Sequence, residues 1–380
     1  MIQVGLVGVG AEWKRYRPAL SRLRRPIHIE AVYDPVFARA EQAAKELDAD
    51  PVEGLQALAS LRNVEAILVM DPGWTRTSIV PLLARYRKPL FLAPWVLNGG
   101  TTLERLSETR ATSESPIVPA MWRRFLPAAI RLQELIATEL GGLREITVDL
   151  TTPAELTSAE PHSASGDDEN SSHSGVTLES LVGWLDFCRN LFRAFPLSAS
   201  WSRPATTADR PNDDRDIFEL NVEYRQRTGH SSVPAGESPL TDNPASRESQ
   251  TGRRACLRIA IDKARSISDS PSTLILHTPQ SGVIEPASTL PSQDCTAHRD
   301  AFPQITFHCE KGKATITSPV QIQWQTGSST QKQETLTSER SEEEIMLDIF
   351  CRRVIGGLVP VADLDDILRP IQLLESCREC

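Results

Sequence analysis

The sequence predicts an α/β protein of two domains. A doubly wound parallel sheet comes first, followed by an α/β domain built on a large, mixed, mostly antiparallel open sheet. Three observations carry this. The chain has 380 residues, long for one domain when domains typically run to roughly 100–200 residues. Residues 1–121 alternate short apolar runs with helical patterns, the rhythm of parallel strands joined by crossover helices. Residues 122–380 carry longer alternating strands with little helix between them, as expected of a sheet with one packed and one free face.

In the first domain Val4-Gly5-Leu6-Val7 reads as a buried strand, and Pro18-Ala19-Leu20 is expected to open a helix reaching about Arg25. Ile29 to Tyr33 is the next strand, stopped by Asp34-Pro35, and an Ala-rich helix should run from Val36 to Leu47. Ala66 to Met70, Pro89 to Leu92 and Ile117 to Pro119 continue a six-stranded plan.

In the second domain the expected strands are Phe218 to Tyr224, Ala255 to Ile261, Thr273 to His277, Gln304 to His308 and Val320 to Trp324. Two polar segments, 158–175 and 225–253, interrupt them and read as mobile insertions. An acidic run at Glu342 to Glu344 starts a helix to about Val354, and a final helix, 364–374, is expected to pack back on the first domain.

Composition removes several function classes. Lys and Arg number 41 against 50 Asp and Glu, a formal charge of −9, which argues against a generally basic nucleic-acid binder or a polybasic membrane-surface protein. The expected partner is a small molecule. No apolar stretch is long enough to span a bilayer, and an apolar strand from Ile2 leaves no room for a signal peptide, so the expected location is cytoplasmic. Seven scattered cysteines (Cys188, Cys256, Cys295, Cys309, Cys351, Cys377, Cys380) suit reduced thiols rather than a disulfide framework. Cys377 and Cys380 form a lone C-x-x-C with no second ligand pair, so no metal site is expected.

The chemistry concentrates after the first strand. Gly8-Val9-Gly10-Ala11-Glu12-Trp13 is a G-x-G-x-x-G frame whose last glycine is tryptophan. In the intact motif the first glycine makes the turn, the second admits a pyrophosphate, and the third lets helix and strand pack closely. Trp13 breaks the third requirement, so either the helix starts later or the indole occupies cofactor space. Asp34 ends the second strand, where a carboxylate accepts ribose hydroxyls and favours NAD over NADP. It reads equally as a turn residue before Pro35. Lys14, Arg15 and Arg17 crowd the helix start, a conflict with its dipole that a bound phosphate would resolve and solvent would tolerate.

These residues, with Val64 to Val69, Lys88-Pro89-Leu90-Phe91, Arg124-Phe125-Leu126-Pro127, Gly141 to Ile146 and Ile355 to Pro360, resemble the glucose-fructose oxidoreductase and inositol dehydrogenase family, Gfo/Idh/MocA. The likeness covers most of the chain. It implies a Rossmann domain followed by an open-sheet α/β domain, NAD or NADP as cofactor, and oxidation of a sugar or polyol hydroxyl. The free face of the second sheet, read from its strand pattern, suggests a homo-oligomer formed through it. Cofactor contacts would come from Gly8, Gly10, Trp13, Asp34, Pro72, Trp74 and Pro94.

The proton-handling residues implied by the family differ here. Its Glu-Lys-Pro after the fifth strand matches Leu92-Ala93-Pro94, so a methyl group stands for the ammonium. Its Asp-x-Gly-x-His matches Glu179-Ser180-Leu181-Val182-Gly183, so the acid persists as Glu179 and Gly183 replaces the imidazole. His173, six residues before Glu179, lies in a polar loop. Positioned acid–base groups contribute roughly 10²–10⁴ in rate.

Trp13, Trp74, Trp95 and Trp122 all follow strand ends, as stacking surfaces or as interface core, and Arg76 stands where many family members carry histidine. Trp95, Arg123 and Arg124 are the expected substrate contacts. Three functions follow: an NAD(P)-dependent sugar or polyol oxidoreductase of altered chemistry with Glu179 as base, a catalytically inactive nucleotide- or sugar-binding sensor or partner subunit, and a structural subunit.

Overall fold

The computed structural model describes residues 1–71, 78–93, 103–150, 178–202, 215–225, 253–262 and 302–379. The N-terminal sheet contains β1 (Ile2–Val7), β2 (Ile27–Tyr33), β3 (Asp50–Pro51), β4 (Ala66–Val69), β5 (Leu90–Leu92) and β6 (Ile117–Pro119). Their order is β3-β2-β1-β4-β5-β6, all parallel. The topological switch therefore falls between β1 and β4, where such sheets open a crevice. The all-buried run of β4 is what a strand covered on both faces requires.

Between the strands lie α1 (Ala11–Leu20), α2 (Phe37–Leu47), α3 (Leu55–Ser60), α4 (Ile79–Ala84) and α5 (Leu103–Thr112). Helix α2 turns Ala40, Ala43 and Ala44 inward, small side chains that let it lie close to the sheet. The expected strands recur within a residue or two at each end. The sixth is the short β3, which carries no apolar run.

Helix α1 corrects the expectation for Pro18. It begins at Ala11 and Pro18 sits inside its last turns. The reason is tertiary: the first amides of α1 find an acceptor on another strand, so the helix starts directly after Gly10 and not at a proline suited to a first turn.

The second sheet has nine described strands in the order β14-β13-β12-β11-β7-β10-β9-β8-β15. They are β7 (Leu143–Leu150), β8 (Phe195–Ser202), β9 (Arg215–Arg225), β10 (Arg253–Asp262), β11 (Gln304–Cys309), β12 (Gly312–Ser318), β13 (Gln321–Thr326), β14 (Lys332–Thr335) and β15 (Arg378–Glu379). Only the β10–β7 and β15–β8 pairs are parallel. Ile146, Val148, Leu220, Val222, Leu257, Ile305 and Phe307 are buried on one face.

The opposite face carries a continuous uncharged row across the register: Ser200, Asn221, Cys256, Thr147, Thr306, Thr315, Gln323 and Gln333. The strand expected at Thr273 to His277 lies outside the described residues. So do 158–175 and all but the strand-forming ends, Arg225 and Arg253, of the second expected insertion.

Helices α6 (Pro127–Leu135), α7 (Leu178–Phe192), α8 (Glu342–Val354) and α9 (Asp365–Ser376) complete the fold. Ser341 caps α8 by accepting the Glu344 amide at 3.2 Å, and three glutamates fill its first turn, matching the helix dipole. Helix α8 returns to the first domain, where Phe350 meets Phe91 with ring centroids 5.5 Å apart. Helix α9 reaches back as well, through Asp365 to Arg110 of α5 at 2.8 Å. Among the described residues no helix is long and apolar enough to cross a membrane.

Candidate functional site

The loop after β1 is built as a glycine turn. Gly8 has φ +83°, and a Cβ on it would stand 2.0 Å from the Asp71 carbonyl oxygen, so only glycine fits. Both Asp34 carboxylate oxygens are engaged. One accepts the Val9 amide at 3.0 Å and the other the Val36 amide at 2.8 Å, so Asp34 clamps the glycine loop to the start of α2.

Asp71 leaves β4 directly opposite. Its amide donates to the Val7 carbonyl at 3.2 Å, which fixes its backbone across the switch point. Its carboxylate accepts the Trp13 amide at 3.2 Å and lies near enough to the backbone amides of Glu12 and Gly10 for them to favour its charged form. Gly10 itself supplies no side-chain cap. Asp71 therefore caps α1 from another strand. Burial pushes the Asp71 carboxyl above its usual pKa; the nearby backbone amides of Trp13, Glu12 and Gly10 work against that rise, and the charge of Asp34 adds to it.

Trp13 belongs to the core of the first domain, 4% exposed. The helix does not start late to accommodate it; the indole is packed inward. Two of the three cations at the start of α1 are paired within the protein. Arg15 meets Glu343 of α8 at 2.7 Å and Arg17 meets Glu46 at 2.7 Å. No external phosphate is needed to account for either.

At the domain junction, Ala93 is fully buried and its amide continues the sheet bonding to Val69. Gly183 lies on α7 with Arg123 against it: a Cβ there would stand 2.2 Å from Arg123 Nη1. The Arg123 guanidinium is stacked between the indoles of Trp122 and Trp184, 4.6 Å from each ring centroid. It also reaches Ser180 Oγ at 3.4 Å.

Arg124 points elsewhere. It forms a two-pronged pair with Asp186 at 2.5 and 2.7 Å and a third bond to Asp366 of α9 at 2.6 Å. Arg189 joins the same cluster, 2.5 Å from Asp366. Burial works to lower the Arg124 pKa, but the hydrogen bonds and charges of Asp186 and Asp366 outweigh it and hold the guanidinium firmly protonated.

Gly8, Gly10, Trp13 and Asp34 thus gather around the β1–β4 switch, while Ala93, Gly183, Arg123 and Arg124 are placed at or near the domain junction. Pro72, Trp74, Arg76, Pro94, Trp95 and His173 lie outside the described residues, as does the Glu179 side chain. Asp71 and the Asp186–Arg124–Asp366 cluster were not singled out from sequence. The available signal for Asp71 was an acidic residue directly after the central strand beside the glycine loop. No group of three or more potential metal ligands occurs among the described residues.

The fit to a dinucleotide follows from this geometry. A pyrophosphate needs free amides at the α1 N-terminus and space over the second glycine. Here the Trp13 amide is taken by Asp71, whose Cγ would stand 2.7 Å from a Cβ on Gly10. As it stands, the seat does not fit the group.

Residues 2–92 match the oxidoreductase family with an NAD-binding Rossmann fold, GFO_IDH_MocA. No curated protein matches the chain. Among solved structures, the chain is similar to UDP-N-acetylglucosamine 3-dehydrogenase from Acidithiobacillus ferrooxidans, at 13% identity and TM-score 0.60, covering 98% of this chain and 95% of that one. It is also similar to a 3-ketoreductase from Actinomadura kijaniata in complex with NADP, at 15% identity and TM-score 0.59, covering 100% and 98%. At these identities the likeness is one of fold.

Proposed function

We propose that this chain, whose residues 2–92 match the GFO_IDH_MocA family model, is a member of that family that has given up hydride-transfer chemistry and keeps the domain junction to bind a sugar-like ligand, as a sensor or partner subunit. One observation carries the reading. The position of the family imidazole is Gly183, and its side-chain space holds the Arg123 guanidinium. A guanidinium stays protonated at any physiological pH and does not serve as a proton acceptor. At the companion position, Ala93 offers only a buried methyl group.

The ligand class is supported by chemistry and by kinship. The similar Acidithiobacillus ferrooxidans protein acts on a nucleotide-linked sugar, and a charged guanidinium fork suits hydroxyl and phosphate acceptors. Fold alone does not fix activity, so the site residues decide here. The uncharged row across the open sheet is the face through which copies of the chain would associate.

A second reading keeps the enzyme. The match of residues 2–92 to an NAD-binding oxidoreductase family favours an NAD(P)-dependent sugar or polyol dehydrogenase of altered chemistry, with Glu179 as base. One experiment separates the two. Purified protein is supplied with millimolar NAD or NADP and a panel of polyols, sugars and nucleotide sugars. Absorbance is followed at the reduced nicotinamide band, and thermal shift reports ligand binding without cofactor. The proposed function expects ligand-dependent stabilisation and no turnover; turnover near the ordinary enzymatic range of about 1 s⁻¹ or more would reject it.

A further inference from the structure

We infer that Asp71 is an internal competitor for the pyrophosphate seat, so that its side chain, more than any distortion of the glycine loop, sets how weakly this Rossmann domain holds a dinucleotide. This goes beyond the proposed function, which rests on Ala93, Gly183 and Arg123 at the domain junction, and the two stand or fall separately.

Two independent contacts support it. The first is electrostatic: amides at a helix N-terminus present partial positive charge and attract an anion, and the Asp71 carboxylate already accepts the Trp13 amide, with the Glu12 and Gly10 amides also favouring its charge. An entering phosphate would have to displace a carboxylate tethered at essentially unlimited effective concentration. The second is steric. The second glycine of the motif is useful because its missing side chain leaves room over the backbone. That room at Gly10 holds the Asp71 carboxyl carbon. A second carboxyl stands nearby: the charge of Asp71 helps to raise the Glu12 pKa.

The rest of the loop remains competent. Gly8 keeps its positive φ, its amide bonds the Tyr33 carbonyl at 2.8 Å, and α1 begins directly after Gly10. Removing one side chain should therefore expose the seat without rebuilding it. Asp71 acts by occupancy, and no other residue has to move for the amides to be freed.

The test is direct binding of NADH, and separately NADPH, to the full chain, read by nicotinamide fluorescence and by calorimetry. Wild type is compared with Asp71→Gly, Asp71→Ala and Asp71→Asn. The expected result is weak binding by wild type, tightened at least about tenfold by glycine or alanine and less by asparagine, which removes the charge but still fills the space. Cooperative thermal melts establish that each variant is folded. Asparagine, equal in size and able to accept the same amides, keeps the comparison open if the smaller variants fail to fold. Micromolar binding by wild type overturns the inference, and so does unchanged affinity in a folded variant. Neither result bears on turnover, which tests the proposed function.

Discussion

A Cβ placed on Gly183 would stand 2.2 Å from Nη1 of Arg123. Glycine on α7 and arginine in the turn after Met121 are thus one packing unit, with the guanidinium held between two indoles. Gly183→Ala should cost about 1–3 kcal/mol, the usual range for overpacking, although alanine is the better helix former. Arg123→Ala in the same chain should relieve most of that cost. Denaturant unfolding of the two single variants and the double variant measures the coupling, and additive effects would show that the pair does not share the space.

Arg124 joins α7 and α9 through Asp186 and Asp366. Removing one partner of a buried cluster leaves charge uncompensated, so Arg124→Met should cost about 3–5 kcal/mol. Urea unfolding gives the number. A loss below 1 kcal/mol would place the cluster with ordinary surface pairs.

Burial raises the Glu12 pKa above its usual value, Arg15 works against the rise, and the charges of Asp71 and Glu343 add to it. The folded chain then binds this proton more tightly than the unfolded chain. Stability is lost as pH rises from the ordinary carboxyl value of about 4 through the raised native value. Glu12→Gln should therefore melt higher than wild type at pH 7–8, with the advantage vanishing below about pH 4. Melting curves across that range decide it, and an advantage that grows on acidification would contradict the sign.

The described cysteines are free, and burial pushes Cys256, Cys309 and Cys377 up to about 11 and Cys351 up to about 12. Cys188 is raised as well. Thiolate is the reactive form, so these thiols should react with a disulfide reagent at pH 8 far more slowly than in the chain unfolded in guanidinium. Rapid labelling of the native protein would count against it.

Much of the fold was legible in the sequence because it follows from local pattern. The buried runs at Val4 to Val7 and Ala66 to Val69, the Ala-rich α2 and the acidic run at Glu342 to Glu344 each announce themselves within a few residues. The same reading placed the start of α1 at Pro18, because a proline suits a first turn and the sequence does not show which acceptor waits for the amides after Gly10. It also did not single out β12, whose pairing with β11 and β13 joins residues that carry no strong apolar run.

The candidate site was legible by residue identity and illegible by occupancy. The expectation that Ala93 and Gly183 stand at proton-handling positions rests on motif spacing alone. That Arg123 fills the space beside Gly183 depends on how α7 packs against the turn after β6.

By itself the sequence determined the α/β class, the parallel first sheet and the glycine turn, since periodicity and residue type are local properties. Tertiary structure alone decided where Asp71 and the arginines go. Asp71 and Trp13 are 58 positions apart and Arg124 and Asp366 are 242 apart, and long-range contacts of this kind arise only when the sheet order sets β4 beside β1 and brings α9 back under α7.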